Sequence, residues 1–197
     1  GTSHHIGLHR MPPVLRRFTQ AYAAVNLDVA FMDSEQAYDQ VMQGKLELAV
    51  VTLAPEHDSS ILATPIWADP LEFMVAKDHP LADSLQVNLK TLSEYPVILP
   101  GMNTYTGQIA KGIFDREGLN LNVAMSTNYL ETIRMMSSIG LGWTILPRSM
   151  LDQSLCKLDV AITTPQRTLG LIYHRGRSLS NAAQAFITEL QAEATSS

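Results

Sequence analysis

The chain has little of what several large function classes require. Of its 197 residues only Cys156 is a cysteine, so an intrachain disulfide and a cysteine-built zinc cage are both excluded. A reducing compartment fits that usage, with Cys156 read as a small buried apolar side chain. Charge is scarce at 17%, and 14 basic against 19 acidic residues leave a formal net charge of -5, the wrong sign for a surface that neutralises phosphates. No stretch approaches the roughly 18 uninterrupted apolar residues that cross a bilayer, and the first residues lack a charged segment followed by an apolar one. The expected location is cytoplasmic.

What is present is apolar and alternating. Apolar residues make up 46% of the chain, ample for a globular core, and at this length one larger domain or two small lobes are the options. Val14, Leu15, Phe18 and Tyr22 fall on one face of a helix from Met11 to Tyr22, with prolines where a first turn tolerates them. Leu27 to Met32 reads as a strand, and Asp33 or Ser34 caps a helix that carries Tyr38, Val41 and Met42 inward and stops at Gly44. Leu46 to Leu53 is apolar at almost every position, as in a strand covered on both faces. This alternation predicts a parallel sheet flanked by helices.

The pattern then restarts. Ile61 to Trp67 and Leu71 to Ala76 read as extended segments around Ala68-Asp69-Pro70, after which Leu89 to Tyr95 is a helix and Val97 to Leu99 a strand. Pro100 to Thr106 is a loop entering a helix from about Gly107, which Gly118 ends. Val123 to Ser126 and Trp143 to Leu146 are strands around a helix capped by Asn128, with Leu130, Ile133 and Met136 on one face. Gly140-Leu141-Gly142 follows a helix and precedes a strand, the reverse of a dinucleotide fingerprint, and reads as a tight turn. Thr168 to Tyr173 is a strand, and Ser180 caps a last helix bearing Ala183, Phe186, Ile187 and Leu190.

A lone C-terminal strand and helix cannot make a third core, so they must dock on an existing lobe. Their return to the first lobe gives an α/β chain of two Rossmann-like subdomains, residues 1–76 with 170–197 and residues 77–169, joined by two crossover strands. Two crossovers make a hinge, and small ligands sit between hinged α/β lobes.

Catalytic constellations are absent from the sequence. None of the six histidines forms an HExxH pair or lies at metal-ligand spacing from a cysteine or acid, and nucleophile elbows and P-loops are missing. No metal or cofactor is expected. The loops at strand ends and helix starts carry short polar groups instead: Ser3, His4, His5, Ser34, Thr52, Asn103, Thr104, Tyr105, Thr106 and Asn128. Each is an ordinary helix cap on its own, but several converging helix starts offer free N–H groups and positive dipole ends that hold a small polar or acidic ligand. The chemistry is recognition.

The runs GTSHHIGLHRMPPVLRRF, QVMQGKLELAVV, PLEFMVAKDHPLA and SSIGLGWTILPRSML resemble, in order and over nearly the whole chain, the effector-binding domain of LysR-type transcriptional regulators. The resemblance implies a fold like that of type 2 periplasmic binding proteins, with the C-terminus returning to the first lobe, and a small-molecule effector between the lobes. It draws the site on His4, His5, Ser34, Thr104, Tyr105 and Thr106, and places Trp67 near the hinge where some members have a basic residue. It also implies an antiparallel homodimer, possibly a tetramer at full length, in which Arg16, Arg17 and neighbours meet Leu130 to Ser138 of the partner. A charge at Ile133 or Met136 is then expected to dissociate it. DNA would be bound only through a winged helix-turn-helix lying before Gly1, and a strand would precede Gly1 in the first lobe. Two other readings of the same fold are a periplasmic solute-binding protein and an enzyme such as a dehydratase or tetrapyrrole synthase.

Overall fold

A computed structural model describes residues 1–196. In chain order the elements are α1 (His4–His9), α2 (Met11–Ala21), α3 (Ser34–Gln43), β1 (Leu48–Thr52), β2 (Ile61–Ala76) and α4 (Leu89–Glu94). There follow β3 (Val97–Leu99), α5 (Tyr105–Asp115), β4 (Val123–Ser126), α6 (Leu130–Ser138), β5 (Thr144–Pro147), β6 (Leu155–Lys157), β7 (Gln166–His174) and α7 (Asn181–Ser196). Two compact units result, Gly1–Ala68 with Thr168–Ser197 and Asp69–Arg167, so the chain passes between them twice, within β2 and within β7. Both passages come earlier in their strands than the sequence boundaries at 76/77 and 169/170. The Ala68-Asp69-Pro70 step does not break the chain into two segments but lies inside β2, sixteen residues of continuous strand.

In the first unit β1 runs antiparallel to β7, with Leu48 opposite Tyr173 and Thr52 opposite Leu169. The core forms where the apolar stripes predicted from spacing meet these strands: Val14 and Phe18 of α2 and Phe186 and Leu190 of α7 close over Val50 and Leu171. Phe18 and Phe186 meet edge to face, 5.4 Å between ring centres. Ser180 caps α7 as expected, its hydroxyl accepting from the Ala183 N–H at 3.1 Å.

The stretch from Leu27 to Met32 is not a strand. Its ladder partner is Gly1-Thr2: Thr2 N–H donates to Ala30 O and Met32 N–H to Thr2 O, while on the other side Val50 N–H donates to Gly1 O. Both bridges of Thr2, to Phe31 and to Val50, are parallel. Leu27, Val29 and Phe31 stay exposed, and all three line a groove of about 330 Å³ with Leu15, Phe18, Leu48 and Phe186. Local β-propensity is overridden here by tertiary context.

In the second unit β2 is flanked on separate stretches by β5, with Leu71 opposite Pro147, and by β6, with Val75 opposite Cys156, both antiparallel. β3 and β4 are parallel, and Val97 makes a parallel bridge to Trp143. The expected all-parallel arrangement is therefore corrected to a mixed one: parallel pairing survives where a helix intervenes, as α5 does between β3 and β4, while the long β2 meets its partners antiparallel. Trp143 is fully buried between Phe114, stacked at 5.5 Å, and Phe73 at 5.8 Å, and its indole N–H reaches Leu92 O at 2.9 Å. Gly44, Gly118 and Gly140, read as helix stops, all have positive φ, at 71°, 66° and 84°.

Candidate functional site

In the second unit the loop from Gly101 leads into α5, which begins at Tyr105, two residues before the expected start. Thr104 is its N-cap, and its hydroxyl accepts from the Gly107 N–H at 3.1 Å while donating to Gly101 O at 2.7 Å. Gly107 is required by close approach, since a Cβ there would fall 2.2 Å from Gly101 O. Asn128 does not cap α6, whose N-cap position belongs to Tyr129. Its carboxamide oxygen instead accepts from the Gly101 N–H at 2.9 Å, because the turn after β4 carries it back over the loop. Asn103 is exposed and brings its own oxygen over the same glycine, 2.4 Å from where a Cβ of Gly101 would lie. Thr104 and Thr106 are buried and Tyr105 half-buried, so Asn103, Thr104, Thr106 and Asn128 gather around one helix start.

Sequence reasoning missed what lies behind that loop. Arg167, 5% exposed in its side chain, donates through Nε to Asp69 Oδ2 at 2.7 Å and through Nη1 to Thr106 Oγ1 at 3.0 Å. The signal was present as a lone cation beside the apolar run from Thr168 to Tyr173 and a lone acid inside β2, but the pair is separated by 98 positions and no local rule joins them.

In the first unit two of the expected residues come together. Ser34 is buried in the first turn of α3, and its hydroxyl accepts from the Thr52 N–H at 3.1 Å at the end of β1. Next to them the Tyr38 phenol accepts from the Ala54 N–H at 3.0 Å, and burial raises its pKa. Thr2, which sequence reasoning passed over, is buried with its hydroxyl on Val50 O at 2.9 Å. Ser3 occupies the N-cap position of α1, a helix of six residues. His4 and His5 do not act as a pair: His4 is exposed with its ring 6.3 Å from Phe31, and His5 is buried with its ring 4.6 Å from His9. Trp67 is buried in this unit beneath the guanidinium of Arg10, 5.8 Å from the ring centre.

The expected partner-facing residues also move. Ile133 is fully buried in a cluster with Met74, Ile98 and Leu146 and is not a surface contact, while Met136 packs against that cluster and stays half-buried. Arg17 is taken up by α7, with Glu189 at 3.3 Å and Glu193 at 2.5 Å. The exposed apolar residues of α6 and its turn are Met135, Ile139 and Leu141. Among the described residues no helix is long and apolar enough to cross a membrane.

Similar sequences and the same fold recur in known proteins. The hydrogen peroxide-inducible genes activator of Dickeya chrysanthemi is 24% identical over 88% of this chain and 58% of its own length. The HTH-type transcriptional regulator YeiE of Escherichia coli K12 is 27% identical over 92% of this chain and 63% of its own. The chain thus spans about six-tenths of the length of these relatives. Among solved structures, the effector-binding domain of QuiR in complex with shikimate superposes with a TM-score of 0.85 at 18% identity, covering 100% of this chain and 95% of that one. The Synechocystis PCC6803 CcmR regulatory domain in complex with 2-PG gives 0.86 at 21%, covering 97% and 93%. These likenesses show the fold, and the relatives are transcriptional regulators, which does not favour a periplasmic carrier. The sequence pattern of the LysR substrate binding domain matches residues 1–195, and the chain belongs to that family.

Proposed function

We propose that this chain is the ligand-sensing part of a cytoplasmic LysR-type transcriptional regulator, binding a small polar or acidic metabolite without transforming it and so altering how a DNA-binding segment elsewhere in the protein engages its operator. The observation that carries the reading is the loop of the second unit, where Asn103, Thr104, Thr106 and Asn128 are collected at the start of an eleven-residue helix with a buried guanidinium behind it. Tyr105, Ser3, His4, His5, Ser34 and Thr52 are assigned to effector recognition in the same way, Ser34 and Thr52 as the bonded pair of the first unit. Family membership and likeness to domains with shikimate and 2-PG bound support a small-molecule ligand.

Thr104→Ala and Ser34→Ala are each expected to weaken effector binding by about 1 kcal/mol, roughly fivefold, with little loss of fold. Calorimetry with any compound that stabilises the wild-type chain checks both. Unchanged affinity in both variants contradicts the assignment.

Self-association belongs to the same reading. Met135, Ile139 and Leu141 leave α6 and its turn with exposed apolar side chains. Met135→Glu is expected to lower the dimer fraction in sedimentation without shifting the melting temperature. Ile133→Glu, by contrast, places a charge in the core and is expected to unfold the second unit.

A further inference from the structure

Within the second unit Arg167 is over-supplied with donors. A guanidinium offers five N–H groups in a fixed fork, and Arg167 uses Nε on Asp69 and Nη1 on Thr106, while Nη2 is sealed from solvent with no hydrogen-bond partner among the described residues. A buried donor left unpaired is costly and uncommon in a native interior. Nη1 ends on Thr106, in the first turn of α5, so the guanidinium is held at the helix end whose N–H groups and dipole favour negative charge. Asp69 fixes the fork by one oxygen at Nε, and both side chains are almost completely buried at 5% and 2% exposure, where water screens the charge weakly.

We propose that Arg167 sets the charge specificity of the effector site, its Nη2 hydrogens taking an anionic oxygen, of a carboxylate or a phosphate, that the ligand brings to the first turn of α5. The inference rests on the reading of this loop as the effector site, and it adds the residue and the ligand class. Thr106 is then a positioning residue: its hydroxyl holds Nη1 and turns Nη2 toward the helix start. An uncharged analogue of the ligand forfeits a charge-assisted hydrogen bond, the stronger kind.

The test uses acids paired with their own neutral methyl esters, beginning with shikimate and methyl shikimate and extending over a panel of carboxylate and phosphate metabolites, the phosphates esterified at every free oxygen, titrated into the 197-residue chain. For compounds that saturate the wild type, the acid is expected to bind at least about tenfold more tightly than the ester. Asp69→Asn, which leaves the guanidinium less neutralised, is expected to tighten acid binding and leave the ester unchanged. Asp69→Asn with Arg167→Gln, which removes both charges and keeps a polar pair, is expected to bind acid and ester alike, with a cooperative melt confirming the fold. Carboxylate and phosphate hits distinguish the two sources of the anion. Esters that bind as tightly as their acids, with Thr104→Ala still weakening both, overturn the role of Arg167 and leave the effector site standing. A panel in which nothing saturates overturns the site and this inference together.

Discussion

Replacing Trp143 by alanine is expected to destabilise the second unit by about 3–5 kcal/mol, enough to leave much of the protein with that unit unfolded at 25 °C. The indole is fully buried, stacks on Phe114 and meets Phe73, so its loss opens a cavity among rings that cannot collapse independently. Its N–H also donates to Leu92 O and, at 3.2 Å, to Tyr95 O, tying the end of α4 to β5. Both carbonyls lose that donor in the variant. Trp143→Phe keeps the stacking and loses only the donor, so it should retain most of the stability. Urea unfolding followed by Tyr fluorescence and circular dichroism separates the two variants, and a Trp143→Ala midpoint within error of wild type contradicts the packing described.

The second large effect is at Asp69 and Arg167. Arg167→Met fills the volume but strands a carboxylate that is 2% exposed, and breaking a buried pair from one side costs about 3–5 kcal/mol. The double replacement Asp69→Asn with Arg167→Gln removes the stranded charge and is expected to recover most of that loss. Denaturant midpoints of Arg167→Met and of the double variant, each against wild type, check this. Equal destabilisation in both would mean that the pair contributes through shape alone. Breaking the pair also frees Thr106 from Nη1, so the single variant disturbs the loop that carries the proposed site.

How much of this was legible in the sequence follows from the range of each interaction. Helices whose apolar stripes repeat every three or four residues were legible from local spacing, and the inward residues Val14, Phe18, Phe186 and Leu190 are buried together. So were the glycine stops, because a positive φ is a demand that one residue meets. Leu27 to Met32 was misread because a strand is completed by its neighbours, and local composition does not report whether a neighbour pairs along its whole length. Asn128 was misread because a capping residue type was present at a helix start while its acceptor oxygen was claimed by Gly101, 27 residues away. Ile133 lies on the helix that the family resemblance placed at an interface, but neither resemblance nor periodicity says whether a given apolar side chain faces the same chain or a partner. Asp69 and Arg167 each looked like single charges near strand ends, and only the approach of β2 to β7 makes them a pair.

The proposed site was half legible for the same reason. Thr104, Thr106 and Ser34 stood out as candidates because helix starts announce themselves in sequence, and Thr52 because it ends an apolar strand. The charge behind them was not, and with it went any sequence basis for preferring an anionic ligand over a neutral one.

The central claim is that this chain binds a small metabolite and returns it unchanged. A thermal-shift screen of organic acids, amino acids and aromatic acids, followed by calorimetry and by mass spectrometry of the recovered compound, tests it most directly. The account predicts a saturable stabilisation, about 2.7 kcal/mol at a hundred times Kd, with the ligand recovered intact. Recovery of a product in place of the ligand would contradict it.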